Sequence, residues 1–155
     1  MNNKYHYLYN NLIKLSRNKT LYKSFVKQDT FSDRLIFFLI HFAFFVKNYK
    51  NKENTKILQD IYDFIFRQLE LSIREIGYGD QSINKKMKDY INLFHSIISE
   101  IHFWDTMDHK EKTKIFETFI NKSENNDFLS NYFDNYYNIL KNSTLNSYLK
   151  SVGNS

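Results

Sequence analysis

Apolar residues recur along this chain at helical spacing, and the alternation expected of strands is nowhere sustained. Leu8, Leu12 and Leu15 open the pattern. A polar connection around 27–33 follows, in which Ser32 or Asp33 is placed to cap the next helix, and Leu35 to Val46 then form the most apolar run. A third segment, 55–76, sets Leu58, Ile61, Ile65, Leu69 and Ile76 on one face, with Asp60, Asp63, Arg67, Glu70 and Arg74 on the other. Gly77-Tyr78-Gly79-Asp80 then reads as a tight helix-helix corner: Gly77 suits a left-handed helix end, and Asp80 suits the cap of the helix that follows. That helix, about 81–104, carries Ile83, Met87, Tyr90, Ile91, Phe94, Ile98 and Ile101. Beyond Trp104 the period returns at Ile115 to Ile120 and at Phe128 to Leu140, and the polar tail from Asn142 reads as a short, frayed helix. The pattern predicts an all-α fold, one compact domain of about six to seven helices over residues 1–155 with no sheet.

Composition supports helices over sheets. With three glycines and no proline, the chain has few residues suited to hairpin turns, and without cysteine it has neither disulfides nor thiol chemistry. The run Leu35 to Val46 spans about 18 Å at ~1.5 Å per residue, against the ~30 Å of a bilayer core, so it reads as a core helix. The formal charge of +5 suits an anionic neighbour, yet only four of the 22 basic residues are arginines, the side chain that grips phosphate with two donors.

Catalytic signatures are missing from the sequence: it holds no nucleophile elbow, phosphate loop or His-Glu-x-x-His pair, and no enzyme activity is expected. His95, His102, Asp105 and His109 share one side of an ideal helix, but histidines seven apart stand about 10 Å from each other, too far to share an ion directly. His41, inside the most apolar segment, reads first as a hydrogen-bonded core histidine. Lys85, Lys86 and Lys88 lie near a helix N-terminus, where cations gain nothing from the helix dipole, which points to a partner or to a solvated face.

Several of these positions fall into one series. Asp29, Thr30 and Arg34, then His41, Asp63, the stretch Arg74-Glu75-Ile76-Gly77-Tyr78-Gly79-Asp80 and Lys85 together resemble the ubiquinol-cytochrome c chaperone family, and Arg17 and Tyr22 resemble its opening Arg and Tyr. The likeness runs over about residues 12–104, is most specific from Arg74 to Asp80, and departs from the family pattern at Asp33, Leu35, Ile40 and Gln68. It implies an assembly chaperone for the cytochrome bc1 complex that receives newly made cytochrome b and needs no cofactor. It further implies a polar network or docking face through Asp63, Glu70 and Arg74, with Asp29 and Arg34 joining across a helix interface, and a corner held by Arg74, Glu75 and Asp80. Lys85, Lys86 and Lys88 would face an anionic membrane surface or the ribosome. Other expected partners are cytochrome b and a small assembly factor, with no DNA. The expected location is the bacterial cytoplasm at the inner membrane, or the matrix side in a eukaryote. The competing reading is a basic helical RNA- or ribosome-binding module, which would need basic residues gathered on one face.

Overall fold

The computed structural model describes residues 4–23, 31–120 and 126–153. Among the described residues the chain forms seven α-helices and no strand: α1 (Lys4–Ser16), α2 (Phe31–Tyr49), α3 (Thr55–Ile76), α4 (Asp80–Glu100), α5 (His109–Phe119), α6 (Asp127–Lys141) and α7 (Leu145–Gly153). Short 3-10 turns follow α1 at Lys19–Tyr22 and α4 at Trp104–Thr106.

The apolar run predicted as a core helix becomes the hub. Nearly every side chain of α2 from Leu35 to Phe45 is buried, because α1, α4 and α6 surround it. Among the described residues no helix is long and apolar enough to cross a membrane. Toward α6, Phe44 stacks on Phe133 with ring centres 5.5 Å apart and meets the edge of Trp104 at 4.9 Å. Toward α4, Phe42 stacks on Phe94 at 5.1 Å. Burial of such rings, each removing a large apolar area from water, is the main source of stability here.

Helices α3 and α4 form an antiparallel hairpin, with α3 also packed on α1. The α3 bounds coincide with the predicted segment, since Gly77 adopts φ 106°, ψ 16° and donates its N–H to the Arg74 carbonyl at 3.0 Å. Among the described residues this left-handed end is the one backbone position where glycine is required. Three local expectations change. Helix α2 already begins at Phe31, so Ser32 and Asp33 lie inside its first turn. On α3, Ile73 takes the last buried place and Ile76 is 56% exposed. Helix α4 stops at Glu100, short of Trp104.

The C-terminal helix is also firmer than the polar tail suggests. Leu145, Tyr148, Leu149 and Val152 of α7 are buried, the helix packs against α1, and Tyr148 donates to Asn11 Oδ1 at 3.1 Å. Helix α5 begins with a reciprocal cap: the Glu111 N–H donates to Asp108 Oδ1 at 2.8 Å and the Asp108 N–H to Glu111 Oε1 at 3.3 Å.

Candidate functional site

At the α3–α4 corner, Arg74 Nη1 donates to Asp80 Oδ1 at 2.7 Å across the glycine turn. The Asp80 hydrogen bond, aided by the charges of Asp80 and Glu70, raises the Arg74 pKa. Asp80 was expected to cap α4; it is instead the first helical residue, its side chain makes no capping hydrogen bond, and Gly79 occupies the cap position. Glu75, Gly77 and Gly79 are exposed at this corner. Tyr78 is 42% exposed and carries Lys86 Nζ 4.6 Å over its ring, while Lys85 and Lys88 point into solvent.

The polar network expected along α3 is only partly assembled. Asp63 accepts from Gln59 at 3.0 Å, and eleven helical residues, about 16 Å, separate it from Arg74. Glu70 acts on Arg74 through its charge, but Asp63 does not join them. Arg34 is exposed in the first turn of α2, whereas Asp29 and Thr30 lie outside the described residues. Arg17 follows α1, with its backbone N–H bonded to the carbonyls of Ile13 and Lys14. Tyr22 donates to the Ser16 carbonyl at 2.6 Å and sets its ring edge-on to Phe37.

His41 is fully buried between α2 and α6. Its Nδ1 lies 2.7 Å from the Phe37 carbonyl, which can only accept, so Nδ1 carries the proton and Nε2 accepts from the Tyr132 hydroxyl at 2.8 Å. Burial lowers the His41 pKa to about 4, against the smaller opposing effect of the Phe37 hydrogen bond, and the ring is neutral at physiological pH.

The four residues that would share a face on an uninterrupted helix are separated by the end of α4, and each has other contacts. His95 Nε2 lies 3.3 Å from the Tyr62 hydroxyl, His109 Nε2 lies 2.7 Å from Asp127, and the His102 ring packs edge-on to Phe103. Asp105 receives Lys141 at 2.9 Å, Lys47 at 3.2 Å and the Tyr137 hydroxyl at 3.2 Å. Partial burial works to raise the Asp105 pKa, but the hydrogen bonds and charges of Lys141 and Lys47 outweigh it and hold the carboxyl at about 2. Nearby, Asp134 accepts from Trp104 Nε1 and Lys112, both at 2.9 Å. These pairs border a polar cleft of about 570 Å³ whose described charges satisfy one another.

The feature that sequence reasoning missed is a groove of about 990 Å³ at the open end of the α3–α4 hairpin, opposite the corner. Val46, Leu58, Tyr62, Phe94 and Ile98 give it an apolar floor, and Lys50 and Lys52 of the α2–α3 connection stand at its rim. Leu58, Phe94 and Ile98 were legible as apolar positions, and Tyr62, one residue beyond the α3 stripe, was the available sign that this face is too wide for its neighbours to cover.

With this geometry in view, the comparisons with known proteins are direct. No curated protein matches the chain. Its fold is similar to that in the crystal structure of the Cbp3 homolog from Brucella abortus, with a TM-score of 0.74 and 20% identity, over 94% of this chain and 84% of that one. Residues 23–102, which contain α2, α3, the glycine corner, α4 and every floor residue of the groove, match the model of the ubiquinol-cytochrome C chaperone family, and the chain belongs to that family.

Proposed function

We propose that this chain serves assembly of the cytochrome bc1 complex by holding newly made cytochrome b against the groove formed by α2, α3 and α4. Membership of the ubiquinol-cytochrome C chaperone family supports the assembly role. The observation that carries the client reading is the groove: about 990 Å³ of open space with an apolar floor, at the top of the size range in which proteins bury ligands. A membrane subunit waiting for its partners exposes apolar helix surface, and covering that surface requires this kind of open, aromatic-bearing channel. No catalytic group is needed, because the work is done by burial.

The remaining candidate residues serve the channel from a distance. Arg74 and Asp80 pair across the closed end of the hairpin whose open end forms the groove, and Glu75 borders that corner. Lys85 and Lys88, exposed on the first turns of α4, would meet an anionic surface, with contact weakening as salt rises. A cell lacking the protein should lose most of its assembled bc1 complex while newly made cytochrome b is degraded, and an affinity-tagged copy should co-purify with pulse-labelled cytochrome b. Full assembly in the deletion strain would overturn the reading.

A further inference from the structure

The groove has a charge asymmetry that burial of an apolar surface does not require. Lys50 and Lys52 are exposed, and among the described residues neither has an ion-pair partner. Lys47, also beside the groove, is already committed: it donates to the His102 carbonyl at 2.9 Å and lies 3.2 Å from Asp105. No carboxylate lines the groove among the described residues, and Glu53, the neighbour of Lys52 in the chain, is not part of its wall. The floor is built of two helical rows with i, i+4 spacing, Leu58 and Tyr62 on α3 beside Phe94 and Ile98 on α4. From Phe94 to the end of α4 at Glu100 the α4 side runs about 9 Å, a little under two helical turns.

Tyr62 and Phe94 touch, with ring centres 5.8 Å apart, so the two rows meet along a seam, and the groove above it is of the kind that receives the ridge of a third helix. An acyl chain would be covered equally well by a smooth apolar trough. From this geometry we infer that the groove selects an amphipathic helical segment, about two turns long, whose end over the α2–α3 connection carries carboxylates that meet Lys50 and Lys52. That the segment belongs to cytochrome b rests on the proposed function. The lysine pair would act on selection more than on affinity. Segments flanking membrane helices on the side where they are not translocated are rich in Lys and Arg, and a cationic rim repels them. It thereby fixes which segment enters and in which direction.

The test uses the full chain and three fluorescent peptides with one shared apolar stripe, ending in two Glu, two Gln or two Lys. Anisotropy titration at low salt should rank them Glu, Gln, Lys, with roughly tenfold between the extremes, and the gap should narrow as salt rises. The double variant Lys50→Glu/Lys52→Glu should reverse the ranking while its thermal melting stays unchanged, since both side chains are exposed. Equal binding of the three peptides, or a ranking that survives the double reversal, overturns the inference. So does a lysine-dependent affinity seen only with phosphatidylglycerol vesicles, which would make the groove a lipid site. If cytochrome b cross-links to the groove without any charge preference among the peptides, this inference falls and the proposed function stands. If the peptides rank as expected but cytochrome b never reaches the groove, the charge selectivity stands and the client assignment falls.

Discussion

The α3–α4 corner and the C-terminal third of the chain differ in opposite ways from what the sequence makes conspicuous. The corner holds the densest motif, Arg74 to Asp80, yet its side chains lie in water and its one ion pair joins partners that are 43% and 84% exposed. The C-terminal third carries no motif, yet its side chains complete the core: Trp104, Phe116 and Phe133 are among the largest fully buried residues, and Tyr132 supplies the hydrogen bond that fixes His41. A memorable pattern in exposed residues therefore points toward a partner or a shape, while stability is carried by unremarkable aromatic and aliphatic positions.

The largest expected effect breaks this contrast from the C-terminal side. A chain ending at Thr144 loses Leu145, Tyr148, Leu149 and Val152 from the core and uncovers α1. At about 1.5–3 kcal/mol for each large apolar side chain, the loss is comparable with the whole stability of a typical domain. Such a chain should show no cooperative thermal transition by circular dichroism.

The next effect is pH-dependent and belongs to His41. Its imidazole titrates near 6.5 when unfolded and at about 4 when folded, so between these values the unfolded chain binds more protons. The stabilisation is complete above pH 6.5 and is lost as pH falls toward 4, by about 3 kcal/mol in total. Urea unfolding at a series of pH values should show this slope, and His41→Gln should remove it. A further loss from about pH 4 to 2 follows from Asp105, whose folded pKa of about 2 lies below the ordinary carboxylate value. It is smaller because Asp105 is 45% exposed and screened by solvent.

The smallest stability effects lie at the corner, where they separate shape from contact. Gly77→Ala forces a β-carbon onto φ 106° and should cost about 1–2 kcal/mol, lowering Tm by about 2–8 °C. Gly79 has an ordinary negative φ of −75°, and nothing lies within 4 Å of an added β-carbon. Gly79→Ala, like the exposed Arg74→Ala, should leave Tm unchanged. If either variant nonetheless lowers the yield of bc1 complex, the corner touches a partner; if neither does, its role is confined to the turn at Gly77.

Legibility in the sequence followed how local each interaction is. The bounds of α3 were readable because a glycine within the segment's own turn ends it, and the buried face of α3 was readable from periodicity up to Leu69, with Ile73 in the place the reading gave to Ile76. The Asp108 to Glu111 capping box is equally local, an Asp-x-x-Glu spacing that the sequence reading passed over. Helix α7 was not readable as a docked element, because its polar segment is held by α1, through contacts such as Tyr148 to Asn11, 137 residues apart. The Asp105 hub joins Lys47 and Lys141, 58 residues before it and 36 after it, and no spacing rule brings them together. Asp80 differed from expectation by one position: the helix already includes it, Gly79 stands at the cap, and the Asp80 Oδ1 bonds Arg74 instead. The groove stayed hidden since it is defined by what fails to cover three helices, a property of the assembled fold.

The central claim concerns where the client lies. Because the chain contains no cysteine, Gln59→Cys in the groove wall introduces the only thiol, and Asn135→Cys in the polar cleft provides a matched control on the far helix. With a short thiol-reactive cross-linker added during synthesis of cytochrome b, the account predicts an adduct from Cys at 59 and little or none from Cys at 135. Equal adducts from both positions, or none from position 59 while cytochrome b still co-purifies, would contradict it.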